Sequence, residues 1–380
     1  FRYLKIQLVA ASPDFDFAID DLWFDAVTSA PQGELPAASL TPRMRGIHDA
    51  GVQTLAECMQ TVYEDGPKRD RRLWAGDLYL QAQANKYTFG NYDLTRRCLY
   101  LFAGLSDSNG VVISNIFESP RPHAQTGSYC VSYSLLWNST LLDYLKDTDD
   151  YDTASDLWPV ARRQIENALP LVGDDGLFSM ARLRPAEWLF FDWRDGLNPS
   201  TPMQGALIFA LDQSAELAEL LGHSEDAESW RTKASQMRTA ARNELFDSRN
   251  GMFISGADRQ LSIQSQIWMV KAGGVQGDEA AAVLTAALNH NSALRCGTPY
   301  AMHYLVEAMI DAGMHTQARQ SLEDYWGGMV DKGADTFWES YDPGDDFISA
   351  YRFSPLNSAC HAWSCTPVYF IHKYPEIFQK

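Results

Sequence analysis

Hydrophobic and polar positions alternate in two different ways along this chain. Near the start they alternate residue by residue, as in Phe1-Arg2-Tyr3-Leu4-Lys5-Ile6-Gln7-Leu8-Val9, and Phe15 to Val27 is again rich in aromatic and β-branched residues. A period of two predicts strands. Pro31, Gly33, Pro36 and Pro42 then punctuate the chain, and the period changes. From about residue 43 apolar residues recur at helical spacing, beginning with Met44, Ile47, Ala50, Leu55, Cys58 and Val62. The same reading predicts helices over 43–63, 75–87, 92–104, 130–147, 154–170, 203–221, 224–245, 262–273, 278–289, 299–312, 316–329 and 357–373.

Several neighbouring helices are separated by only a few residues. Leu220-Leu221-Gly222-His223-Ser224 reads as a helix end, a glycine stop and a serine cap, and Gly277 and Gly313 read as further stops. Short links force antiparallel pairs. About six such hairpins suggest a closed ring of inner and outer helices, with no fixed-length repeat that would indicate a solenoid. The expected organisation is a β-rich segment over 1–40 followed by an all-α domain over 41–380. Four long loops, 105–129, 174–202, 246–260 and 331–356, break the helical pattern. Loops of that length in a compact domain are usually functional.

Composition narrows the partners. The formal net charge is −18, a field that repels nucleic acid and anionic lipid and leaves neutral ligands as the compatible class. No apolar run approaches the ~20 residues needed to cross a bilayer. Aromatic residues make up 12% of the chain, with 11 Trp. Most of these belong in a core, but the excess invites a carbohydrate ligand, because the C–H faces of sugars stack on aromatic rings. The six cysteines lack CxxC or zinc spacing, and the eight histidines are scattered. Neither a metal nor a cofactor is therefore expected. The sequon Asn138-Ser139-Thr140 leans toward secretion.

The densest chemistry lies in Glu64-Asp65-Gly66-Pro67-Lys68-Arg69-Asp70-Arg71-Arg72-Leu73-Trp74-Ala75-Gly76-Asp77. A solvated charged turn is the plain alternative. Gly66, Gly76 and Trp74 argue instead for close backbone approach. Crowded carboxylates beside arginines are a physical route to one ionised and one protonated acid. Three further segments combine acids or a histidine with tryptophan: Phe190-Phe191-Asp192-Trp193, Asp335-Thr336-Phe337-Trp338-Glu339 and Ser358-Ala359-Cys360-His361-Ala362-Trp363.

The run Asp65–Asp77 resembles, without a gap, the signature Asp-Cys-Pro-Gln-Arg-Glu-Arg-Leu-Gly-Trp-Thr-Gly-Asp of glycoside hydrolase family 78, the α-L-rhamnosidases. Phe191-Asp192-Trp193, Gly297-Thr298-Pro299-Tyr300, Gly333–Glu339 and Asn357–His361 resemble further segments of that family, in the same order. Phe1-Arg2-Tyr3 resembles the end of the β-sandwich that precedes its catalytic domain. The resemblance implies an (α/α)6 toroid and an exo-acting, inverting glycosidase releasing a terminal sugar, most readily α-L-rhamnose. It implies Asp70 as general acid and Glu339 as general base, on opposite faces of the sugar and with room for a water between them. Asp65 and Asp77 would hold sugar hydroxyls, and Arg69 would orient carboxylates. Asp192 and His361 would also contact the sugar, and Trp74, Trp193 and Trp338 would wall the pocket. Two positions depart from the family. Asp70 replaces Glu, a side chain shorter by one methylene or about 1.5 Å, and Arg72-Leu73 replaces Leu-Gly. A non-catalytic carbohydrate-binding relative, or a hydrolase or lyase acting on a uronic or deoxy sugar, stays open. An arginine directed into the pocket would favour the uronic reading, since a carboxylate wants a guanidinium fork.

Overall fold

Burial along each helix reveals its place in the fold. The computed structural model describes residues 4–379 apart from 24, 26, 32, 34, 37 and 69. Its helices, in chain order, are α1 (Pro42–Cys58), α2 (Ala75–Lys86), α3 (Tyr92–Gly104), α4 (Val131–Thr148), α5 (Tyr151–Ala168), α6 (Ser200–Leu220), α7 (Ser224–Glu244), α8 (Ile263–Lys271), α9 (Gly277–Asn289), α10 (Pro299–Asp311), α11 (His315–Asp331), α12 (Pro367–Lys373) and the short α13 (Pro375–Phe378).

The even-numbered helices are covered nearly all round. In α8 every residue from Ile263 to Val270 is buried, and in α2 every residue from Ala75 to Gln81. The odd-numbered ones bury a single stripe. In α7 the buried residues are Ala227, Trp230, Ala234, Met237 and Ala241, and in α9 they are Ala280, Val283, Leu284 and Ala287. Helices apolar all round belong inside, and one-faced helices outside. Packing follows that division. The inner helices touch in the sequence α2–α4–α6–α8–α10. His303 of α10 then meets Tyr369 and Phe370 of α12, with ring centroids 5.8 and 5.1 Å apart, and α12 packs back on α2. The result is an all-α toroid of six inner and six outer helices, as the periodicity and the resemblance both predict.

Details of the helix ends differ from expectation. Gly222 (φ 82°) and Gly313 (φ 73°) do end α6 and α10 in the left-handed conformation. Gly277 instead opens α9, and Gly273 (φ 65°) takes the stop after α8. Ser224 is the first residue of α7 rather than its cap. The cap position belongs to His223, whose ring stacks on Trp158 at 4.5 Å.

Among the described residues, the strands expected before residue 30 do not form. Phe1 to Tyr3 lie outside the described residues, and the described residues of 4–40 contain no strand. Leu4, Ile6, Leu8, Phe15, Phe17 and Ile19 are exposed there. Alternation alone does not make a strand: its backbone groups need a paired neighbour, and none of the described residues supplies one. Strands occur instead inside the long loops. β1 (Arg72–Trp74), β2 (Asn115–Phe117) and β3 (His123–Ala124) form an antiparallel sheet. β4 (Tyr129–Cys130) pairs in parallel with β5 (Glu187–Trp188). These small sheets and the first turns of α2, α4, α8 and α10 lie at one end of the ring. No helix among the described residues is long and apolar enough to cross a membrane.

The sequon has a structural role. Asn138 is fully buried in α4, and its Nδ2 donates to the Ala161 carbonyl and to Ser214 Oγ, each at 2.9 Å. A side chain so held cannot carry a glycan in the folded protein, so the sequon gives no support to secretion. All six cysteines are free thiols, Cys360 and Cys365 among them.

Candidate active site

The charged turn folds back on itself through one carboxylate. Asp65 Oδ1 accepts the backbone N–H groups of Gly66 (2.9 Å) and Arg72 (3.0 Å), and the Asp65 N–H donates to the Arg72 carbonyl at 2.9 Å. These bonds close the loop around Asp70 and start β1. Arg71 pays for the reversal with a left-handed backbone (φ 51°). Gly66 is required here, because a Cβ would lie 2.8 Å from the Cys360 carbonyl oxygen. Strand alternation does the rest. Arg72 and Trp74 face a cavity, while Leu73 between them is fully buried in the core. At the start of α2, Gly76 lies beneath Tyr133, where a Cβ would fall 2.3 Å from the ring.

A second wall comes from residues 337–341 and 357–363, which run side by side. The Glu339 N–H donates to the Ser358 carbonyl, and the His361 N–H to the Phe337 carbonyl, each at 2.9 Å. Glu339 is buried and held at both oxygens. Oε1 accepts the Tyr351 hydroxyl at 2.5 Å, and Oε2 accepts the Ser358 N–H at 2.9 Å. The two walls are tied where the Ala362 N–H donates to the Asp65 carbonyl at 2.7 Å.

Together they enclose a cavity of about 270 Å³. Asp65, Asp70, Asp77, Glu339 and His361 supply its polar lining, with Arg72 beside them. Trp74, Tyr133, Trp188, Phe190, Trp193, Tyr351 and Trp363 supply the aromatic part. Burial pushes the Asp65 carboxyl up to about 7, aided by the nearby Asp70 and Glu339 charges and opposed by its two N–H bonds. Burial also lifts Asp77 well above the usual carboxylate range, with the Asp65 and Glu339 charges adding to it. His361 Nε2 sits 3.7 Å from Asp77 Oδ1.

Most of the residues singled out in the sequence therefore meet: Asp65, Asp70, Trp74, Asp77, Trp193, Glu339 and His361. Arg69 lies outside the described residues. Two others are placed elsewhere. Trp338 is absent from the cavity lining and packs edge-on against Tyr341 at 6.0 Å, because its neighbour Glu339 takes the inward position. Asp192 is also outside the lining. It is half-buried and serves as a brace, accepting from the Gly297 N–H (2.7 Å), Thr298 Oγ1 (2.7 Å) and Gln264 Nε2 (2.6 Å). Burial raises its carboxyl to about 6 against these three bonds. Among the described residues no group of three or more His, Cys, Asp or Glu is placed to hold a metal.

Comparison with known proteins identifies the family. The family model for the bacterial α-L-rhamnosidase six-hairpin glycosidase domain matches residues 39–374. The chain belongs to that family. It is thereby a glycoside hydrolase domain of the α-L-rhamnosidase type. Among solved structures, a rhamnosidase from Klebsiella oxytoca with rhamnose bound is 42% identical at a TM-score of 0.87, over 92% of this chain and 67% of that one. A family 78 rhamnosidase from Bacillus sp. GL1 is 23% identical at a TM-score of 0.77, over 88% of this chain and 35% of that one. An α-L-rhamnosidase from Streptomyces avermitilis complexed with L-rhamnose is 18% identical at a TM-score of 0.66, over 88% of this chain and 31% of that one. The last two show a shared fold. The chain thus spans about two thirds of the Klebsiella protein and about a third of the others. A search of curated proteins finds no match.

Relative to the rhamnosidase signature, the sequence left several lining residues unmarked. Trp363 and Phe190 lay inside segments already noted. Trp188 and Tyr351 lay in two of the long loops, with nothing to distinguish them from their neighbours. Tyr133 sits in the first turn of an apolar helix and carried no signal at all.

Proposed function

We propose that this rhamnosidase-family domain removes a terminal α-L-rhamnose from the non-reducing end of a glycoside, with inversion. The observation that carries the reading is the gathering of Asp65, Asp70, Asp77 and Glu339 in one aromatic-walled cavity. Asp70 transfers its proton to the glycosidic oxygen as the bond to the anomeric carbon breaks. Glu339, whose carboxylate is oriented by Tyr351 and Ser358, takes a proton from the water that attacks the opposite face of that carbon. Exchange with solvent then restores both groups. Asp65, Asp77 and His361 hold sugar hydroxyls, and Arg69 orients the carboxylates. The methyl group of a 6-deoxy sugar is apolar and suits the aromatic wall. The preferred ligand is a neutral glycosyl unit, and no cofactor takes part in these steps.

The test is release of nitrophenol from nitrophenyl α-L-rhamnoside, with Asp70→Asn and Glu339→Gln alongside. Loss of a general acid or base should lower kcat by about 10²–10⁴-fold. Magnetic resonance of the first-formed sugar should show the β anomer. Rhamnose binding without turnover in the parent would instead support a non-catalytic relative. A second reading, a uronic-acid-specific hydrolase or lyase, is favoured by one observation, the presence of Arg72 in the cavity lining. Turnover of a uronide in preference to the rhamnoside would decide for it.

A further inference from the structure

Arg72 departs from the rhamnosidase signature and has no part in the steps above. Its guanidinium lies over the ring of Phe117, 4.5 Å from the centroid. Its Nε is buried and finds no acceptor among the described residues, and no carboxylate among them pairs with it. A guanidinium that lines a substrate cavity with its fork unmet is an uncommon arrangement in a domain of net charge −18. Arg72 is half-buried, and cations drawn partly out of water are ordinarily paired. The ring of Phe117 holds the group in place, so little freedom is left to lose when an acceptor arrives.

The position of Arg72 identifies which end of the substrate it meets. It follows Asp70 by two residues, at the head of β1. Asp70 protonates the oxygen of the leaving group, so the leaving group lies on the Asp70 side. From there the sheet leads outward. Arg72 is paired across the strands with Phe117, and Phe117 with His123. Directly opposed residues share one face of a sheet. The Phe117 and His123 rings stack at 5.0 Å, and His123 is exposed. A row of cation, aromatic ring and imidazole thus runs from the cavity to solvent, along the exit that an exo-acting enzyme must leave for the rest of its substrate.

We propose that Arg72 and the row beside it form a subsite for a carboxylate on the leaving group, so that the preferred substrate is a terminal rhamnoside of an acidic sugar or acidic aglycone. The inference rests on the rhamnosidase reading and adds the chemistry of the second substrate half. A planar carboxylate matches the guanidinium fork in two parallel bonds. Arg72 is the one Lys or Arg among the described residues that line the cavity.

Two matched pairs of substrates test this. One is rhamnosyl-glucuronic acid against rhamnosyl-glucose, and the other is carboxyphenyl rhamnoside against its methyl ester. The parent should favour the acidic member by about tenfold or more in kcat/KM, the size expected of a charge-assisted bond. A preference confined to the first pair would assign the subsite to uronic acids, and one confined to the second to aromatic acids. In Arg72→Leu the ratio within each pair should fall to near one, whatever happens to the absolute rates. Arg72→Lys, with charge but no fork, should give an intermediate ratio. Equal rates within both pairs for the parent, or an unchanged ratio in Arg72→Leu, would overturn the proposal. Failure of the rhamnosidase reading is distinguishable, because it appears as no turnover of either member. In that event, calorimetric binding of the same pairs to the parent and to Arg72→Leu still reads the ratio.

Discussion

At the level of single residues the site depends on carboxyls kept out of water. The Asp65 carboxyl stands at about 7 in the folded protein, against 3.8 for the free side chain. Below about pH 4 folded and unfolded chains both hold the proton and nothing is lost. As pH rises from 4 to 7 the unfolded chain releases it while the folded chain does not, so stability falls, and above 7 the loss levels off. At 1.36 kcal/mol per pH unit the penalty is at most roughly 4 kcal/mol. Asp65→Asn keeps an oxygen for the Gly66 and Arg72 N–H groups but cannot ionise. Urea unfolding between pH 4 and 7 should therefore decline less steeply for this variant than for the parent, and parallel curves would contradict the account. Tyr351 makes a different contribution. Its hydroxyl orients Glu339 without being consumed in any step. Tyr351→Phe should lower kcat by about tenfold, the worth of a bond to a charged group, with KM for nitrophenyl rhamnoside changed much less. A change confined to KM would show that the tyrosine only binds sugar.

At the level of elements, two features brace the ring where the sequence pattern could not show it. Gly205 lies mid-helix in α6, where alanine would normally gain about 1 kcal/mol. A Cβ there would meet the Trp268 carbonyl oxygen of α8 at 2.4 Å. Gly205→Ala should therefore destabilise the protein, by about 1–3 kcal/mol, with the direction read from denaturant melts. Asp192 joins the 174–202 loop to the start of α10 and to Gln264 at the start of α8. Asp192→Ala would strand three donors, those of Gln264 and Thr298 buried, and should cost about 3 kcal/mol or more. It should leave the KM for rhamnoside close to that of the parent in the fraction that folds. Helix positions, by contrast, were legible, because a 3.6-residue stripe is a local property of the chain. The small strands were not. Arg72–Trp74 and Asn115–Phe117 are too short to display a period, and they exist because each supplies the other's hydrogen bonds.

At the level of the whole molecule, ring closure falls to the last helices. α12 bridges α10 and α2, and Phe370, Ile371 and Phe378 are buried with it. Ending the chain after Thr366 should open the ring, giving loss of near-ultraviolet dichroism with helical signal retained. A cooperative melt in the shortened chain would show that closure is dispensable. The overall charge of −18 acts on encounter rather than on fold. For a neutral glycoside kcat/KM should change less than about twofold between low and moderate salt, since screening has no substrate charge to act on.

The sequence by itself determined where most of the helices lie, their pairing into hairpins and the grouping of chemistry around Asp65–Asp77, because periodicity and local composition are written residue by residue. It marked Glu339 and His361 as well. Only the tertiary structure decided which tryptophans line the cavity. Trp338 and Glu339 are neighbours, and only Glu339 lines the cavity, while Trp338 packs on Tyr341. It also turned Asp192 from a ligand contact into a brace, and Asn138 from a surface sequon into a buried one. Both assignments depend on donors distant in the chain, Gly297 and Thr298 for one and the contacts to Ala161 and Ser214 for the other. The role of Arg72 is of the same kind. Its departure from the family signature was visible in the sequence, but its place in the cavity arises from the pairing of β1 with a loop more than forty residues away.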